Sequence, residues 1–143
     1  MMFLINKNIY LDSSTKKNIL EKYEQEKNDK NIDKEMVAVC EKINKHPDFV
    51  VSSCCFGHLK SGNNTVGYIN LQVTQNGMHI LLEQIAPKIW NMPIFGTNDE
   101  KPYCSFSIAY NDEGGIIFQI KYYREGANLI IGKLLQFLDC SYV

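Results

Sequence analysis

The side chains best able to do chemistry crowd into one run, HPDFVVSSCCFGHLK, residues 46–60, which places Ser52, Ser53, Cys54, Cys55, Gly57, His58 and Lys60 within nine positions. Three chemistries compete for it. Cys55 and His58 have the C-x-x-H spacing of half a zinc site, with Cys54, Cys104 or Cys140 as candidate further ligands. Zinc sites normally pair two such motifs and only one occurs, so no metal is expected and the thiols read as small buried side chains. Cys55 beside His58 also has the residue types of a thiolate–imidazole pair, but catalytic partners normally meet through the fold rather than along the chain. The third reading is an anion or nucleotide cradle. A strand ending in Ser52 and Ser53 and turning at Gly57 presents hydroxyls and backbone N–H groups, while His58 and Lys60 add positive charge for a phosphate. Tyr123 and Arg124 end a later strand and complete the expected ligand-binding set: Ser52, Ser53, Cys55, Gly57, His58, Lys60, Tyr123 and Arg124. No catalytic residue is assigned. His46, before the helix-ending Pro47, and His79, with no partner suggested nearby, read as structural or exposed.

The elements that must position this run follow from periodicity. Residues 14–27, STKKNILEKYEQEK, favour helix but hold few apolar side chains, so a mostly solvated helix is expected. In IDKEMVAVCEKINKHP, Asp33 is placed to N-cap a second helix, with Ile32 and Val37 as a hydrophobic staple. Met36, Cys40 and Ile43 form its buried stripe. DFVVSS reads as a short buried strand, and VGYINLQV alternates strictly, with Ile69, Leu71 and Val73 to one side. A helix over NGMHILLEQIAPKIW should bury Met78, Leu82 and Ile85 and end or kink near Pro87. YCSFSIAY and GIIFQIKYY form a hairpin through NDEGG, whose glycines supply positive φ. The chain closes with a helix burying Ala127, Ile131, Leu134 and Leu138.

The expected fold is therefore α+β: a single two-layer domain over residues 1–143 in the order ααββαββα, with an antiparallel or mixed sheet and helices on one face. The other face would show Tyr68, Asn70, Gln72, Ser105, Ser107, Gln119, Lys121 and Tyr123. It reads as a solvated face or a surface for homo-oligomer contact.

Composition bounds the rest. With 45% apolar and 22% charged residues over 143 positions, the chain has the balance of an ordinary globular domain. No apolar run is long enough to span a membrane, and MMFLINKN is too short for a signal peptide, so a cytoplasmic protein is expected. Five irregularly spaced cysteines fit free thiols in a reducing compartment. Fifteen basic against sixteen acidic residues, with Arg124 as the one arginine, argue against an extended nucleic-acid footprint.

One resemblance adds to this. NIDKEMVAVCEKINKHPDFVVSSCCFGHL resembles the N-terminal signature of the wybutosine-synthesis methyltransferases, which methylate a tricyclic guanosine beside the anticodon of phenylalanine tRNA. Ile32 and Asp33 match that family's helix start, Ile43 and Asn44 its Ile-Asn pair, and Pro47, Asp48 and Phe49 its step into a strand. Ser53, Cys55 and Gly57 keep the serine, cysteine and glycine of the strand-end motif. Cys54, Phe56 and His58 stand where the family has serine, serine and arginine. The likeness covers roughly the first 60 residues and implies a shared fold. If activity followed, S-adenosylmethionine would be the methyl donor and tRNA the substrate.

The residues themselves favour binding of a small nucleotide-like or phosphorylated ligand at the SSCCFGHLK loop, without a cofactor. Such a protein could sequester a signalling nucleotide, in the manner of viral anti-defence proteins. S-adenosylmethionine-dependent methyl transfer to a modified guanosine of tRNA is the alternative.

Overall fold

The computed structural model describes residues 9–57, 66–87, 104–111, 115–123 and 126–141. In chain order these form α1 (Ser13–Asn28), a 3-10 turn (Lys34–Met36) leading into α2 (Val37–Lys45), β1 (Phe49–Cys55), β2 (Val66–Val73), α3 (Gln75–Ile80, continued as a π-helical turn over Leu81–Ile85), β3 (Cys104–Asn111), β4 (Gly115–Tyr123) and α4 (Ala127–Ser141). The four strands make one sheet in the order β1-β2-β4-β3, antiparallel at every junction. The fold is α+β, as expected, with the mixed-sheet option removed.

Alternation in the two central strands builds the core. Ile69 and Leu71 of β2 lie opposite Ile120 and Phe118 of β4, and all four side chains are buried on one face. Against that face pack Met36, Val39, Cys40 and Ile43 around α2, Leu81 and Ile85 of α3, and Ala127, Ile130, Leu134 and Leu138 of α4. Gly67 lies opposite Tyr122. A β-carbon there would collide with the Tyr122 ring and stand 2.7 Å from the carbonyl oxygens of Cys55 and Phe56. Tyr122 uses that space to donate from its hydroxyl to the Cys55 carbonyl at 2.9 Å.

Three local expectations are corrected. Asp33 occupies the N-cap position but its side chain makes no capping bond; its Oδ2 accepts from the Phe56 N–H at 2.9 Å, tying the start of the α2 region to the exit of β1. In α3 the buried residues are Gly77, Leu81 and Ile85 and Met78 is half-buried against the core, whereas Leu82 is 50% exposed. The π turn accounts for part of this: Pro87 has no N–H to give to Glu83, and the Ala86 N–H reaches back to the Leu81 carbonyl. On the face opposite the core, Gln72 is buried rather than solvated, as is its β1 partner Val50. Leu11, just before α1, is buried too, and its N–H bonds the Val73 carbonyl at 2.8 Å, so the chain entering α1 is fastened to this end of the sheet.

β1 carries a bulge. Val51 pairs with Leu71 and Ser53 with Asn70, so Ser52 is an extra residue on the edge strand. Phe49 and Val51 face the core before it; Cys54 and Phe56 take that side after it. Among the described residues no helix is long and apolar enough to cross a membrane.

Candidate functional site

α1 begins where Asp12 accepts the Thr15 N–H at 2.7 Å, which holds the Asp12 carboxyl below its usual pKa. The helix buries one side chain, Tyr23. Two polar ties fix it to the α2 region: Lys16 donates to the His46 carbonyl, and Tyr23 and Lys27 both reach Glu41 Oε2, at 3.3 and 3.2 Å. Desolvation by burial, with the neighbouring Cys40 and Glu41, keeps the Tyr23 phenol firmly protonated.

Held this way, α1 runs beside β1 and leaves a cleft of about 670 Å³ between them. The helix contributes Thr15, Asn18, Ile19, Lys22, Tyr23 and Glu26, and the segment after it adds Asn31 and Ile32. The sheet side is Val51, Ser52, Ser53 and Cys54 of β1 with Gln72 of β2. The lining thus carries amides, hydroxyls, three aliphatic side chains, one ammonium and one carboxylate. Its size is that of a small-molecule site.

The sheet wall is ordered by hydrogen bonds running across three strands. Gln119 donates to Asn70 Oδ1 at 2.8 Å, and Asn70 donates to Ser53 Oγ at 2.8 Å. Ser53 is an acceptor in that chain, so its own proton is left for a further partner. Ser52 spends its proton on the Asn70 carbonyl at 3.2 Å. Gln72 is 5% exposed, and its Oε1 has no hydrogen-bond partner. A buried amide oxygen in that state costs about 1–3 kcal/mol, and here it belongs to a residue of the cleft wall.

The expected site is divided by the fold. Ser52 and Ser53 come together in the cleft, within β1 at its bulge and not at a strand end. Cys55 pairs with Tyr68 beyond the bulge and is not part of the cleft lining. Gly57 has φ of +100°, the left-handed conformation that a glycine turn requires. Tyr123 closes β4 opposite Val66, at the end of the sheet from which β1 exits and away from the cleft. His58, Lys60 and Arg124 lie outside the described residues. Sequence reasoning missed Cys54, Gln72 and the α1 residues. The signal available for α1 was the pair Ile19 and Tyr23, one turn apart on a helix whose only other apolar side chain is Leu20.

Of the remaining histidines, His46 is buried, stacks on Phe49 with ring centroids 4.4 Å apart, and accepts the Asp48 N–H on Nδ1 at 3.1 Å. His79 is exposed and pairs with Glu83 at 3.6 Å, one helical turn on. Among the described residues, no group of three or more His, Cys, Asp or Glu side chains could hold a metal ion. The cleft lining places hydrogen-bonding groups beside apolar surface. No family model, curated protein or solved structure matches the chain, so the chemistry of the cleft has to carry the functional reading.

Proposed function

We propose that the protein binds a small nucleoside-like molecule, bare or carrying a single phosphate, in the cleft between α1 and β1. The observation that carries this reading is Gln72: a buried amide whose Oε1 lacks a donor, in the wall of a cleft large enough for a ligand. A donor such as the exocyclic amine of a nucleobase would satisfy it. Asn18 and Asn31 present both donors and acceptors of the kind that read a base edge, and Ile19, Ile32 and Val51 offer apolar surface to a flat ring. The Ser53 hydroxyl suits a ribose oxygen. Lys22 is the one cation in the lining, enough for one phosphate and too little for a polyphosphate. Among the described residues Cys40, Cys54, Cys55 and Cys104 are free thiols, which suits a reducing compartment, and we place the protein in the cytoplasm on that ground. Sequestration of a signalling nucleotide is the role such a binder would fill.

Native mass spectrometry of the protein as purified is the test. A retained nucleoside or nucleoside monophosphate is expected, lost in the Gln72→Leu variant. Retention of S-adenosylmethionine would transfer the site to the methyltransferase reading. Retention of nothing, with no adduct after incubation with a panel of nucleosides and nucleoside monophosphates, would remove the proposal.

A further inference from the structure

Cys40 of α2 and Cys54 of β1 are both free, and their sulfurs stand 3.5 Å apart, within sulfur hydrogen-bonding distance. The contact exists because the Ser52 bulge turns Cys54, rather than Cys55, toward the helix layer. The two thiols are differently placed. Cys40 is fully buried in the core, whereas Cys54 is partly exposed and lines the α1–β1 cleft. A reagent entering the cleft therefore meets Cys54 first and finds Cys40 directly behind it.

We propose that Cys54 is a peroxide-sensitive thiol and Cys40 its resolving partner, forming a reversible disulfide between β1 and α2. In the first step Cys54 Sγ, as thiolate, attacks one oxygen of hydrogen peroxide. An S–O bond forms, the O–O bond breaks, and the departing hydroxide takes up a proton as water. In the second step Cys40 Sγ attacks the sulfur of the Cys54 sulfenic acid. The S–S bond forms, the S–O bond breaks, and the hydroxide leaves as water with the Cys40 proton. Two thiols lose two electrons in all, and the peroxide is reduced to two waters. The Cys40 S–H donating toward Cys54 favours the thiolate at Cys54 and disfavours it at Cys40, which matches the division into attacking and resolving thiols. Cys104 lacks these features: it is buried, its thiol is pushed up to about 12 by desolvation, and it should stay reduced. The proposal is independent of what the cleft binds.

The folded, reduced protein should be exposed to hydrogen peroxide, quenched with an alkylating agent and mapped by peptide mass spectrometry. The expected product is a Cys40–Cys54 cross-linked peptide, reversed by dithiothreitol and absent in Cys54→Ser. In Cys40→Ser the Cys54 sulfenic acid should persist and be captured by dimedone. Wild-type protein pre-treated with dimedone during oxidation gives the same readout if that variant does not fold, with the adduct on Cys54 and not on Cys40. Oxidation that yields no Cys40–Cys54 peptide in the folded protein, or dimedone capture at Cys40 in place of Cys54, would overturn the assignment.

Discussion

At the scale of single residues, the cleft wall holds a buried, unpartnered amide oxygen at Gln72, which costs stability and which the proposed ligand would satisfy. Its Oε1 is buried without a donor, so replacing the side chain with leucine should leave stability unchanged or raise it by up to about 1 kcal/mol, since a desolvated and unpaired polar atom is removed. Denaturant unfolding checks this, and a loss of several kcal/mol would show that the amide is fully satisfied in solution. His46 sets a second residue-level expectation. Burial lowers its pKa more than the neighbouring Asp48 raises it, so the unfolded chain takes up the proton first as pH falls. The stability contributed by the neutral ring is present above the unfolded value of about 6.5 and declines as pH drops through and below it. Wild type should therefore lose stability between pH 7.5 and 5.5 relative to His46→Asn, which keeps an acceptor for the Asp48 N–H but does not titrate. Equal losses in the two proteins would contradict the assignment.

At the scale of elements, periodicity carried most of the fold and backbone irregularities carried most of the site. VGYINLQV alternates, as does GIIFQIKYY from Phe118 onward, and the structure places β2 and β4 over those same residues. Met36, Cys40 and Ile43 are buried in the helix layer as their spacing requires. The bulge at Ser52 left no such mark, because an extra residue in FVVSSCC is indistinguishable from continued alternation until its partner strand is known. That one residue decides which cysteine faces α2 and places both serines in the cleft. Helix α1 is mostly solvated, as its few apolar residues require, but nothing in its sequence marks the side that lines the cleft. Tight packing at Gly67 gives the element-level prediction. Gly67→Ala must displace Tyr122 or the β1 exit and should cost about 1–3 kcal/mol, read by denaturant unfolding. Stability equal to wild type would mean that the β1 exit is not held as closely as the 2.7 Å approaches indicate.

At the scale of the whole molecule, among the described residues α2, α3 and α4 cover one face of the sheet and α1 guards the outer edge of β1. An exposed edge strand invites pairing with other chains, and the bulge and the neighbouring helix both blunt this one. Standing α1 off β1 on its ties to His46 and Glu41 also makes room for the cleft, so protection of the edge and formation of the cleft share one cause. The central claim is that this cleft is a ligand site organised around Gln72. Its most direct test is the melting temperature of wild type and Gln72→Leu, each measured with a panel of nucleosides and nucleoside monophosphates. At about a hundred times its Kd, a ligand specific to the folded state adds about 2.7 kcal/mol, which raises Tm by several degrees. One member of the panel should produce that shift in wild type and not in Gln72→Leu; no shift with any member, or an equal shift in both proteins, would contradict the account.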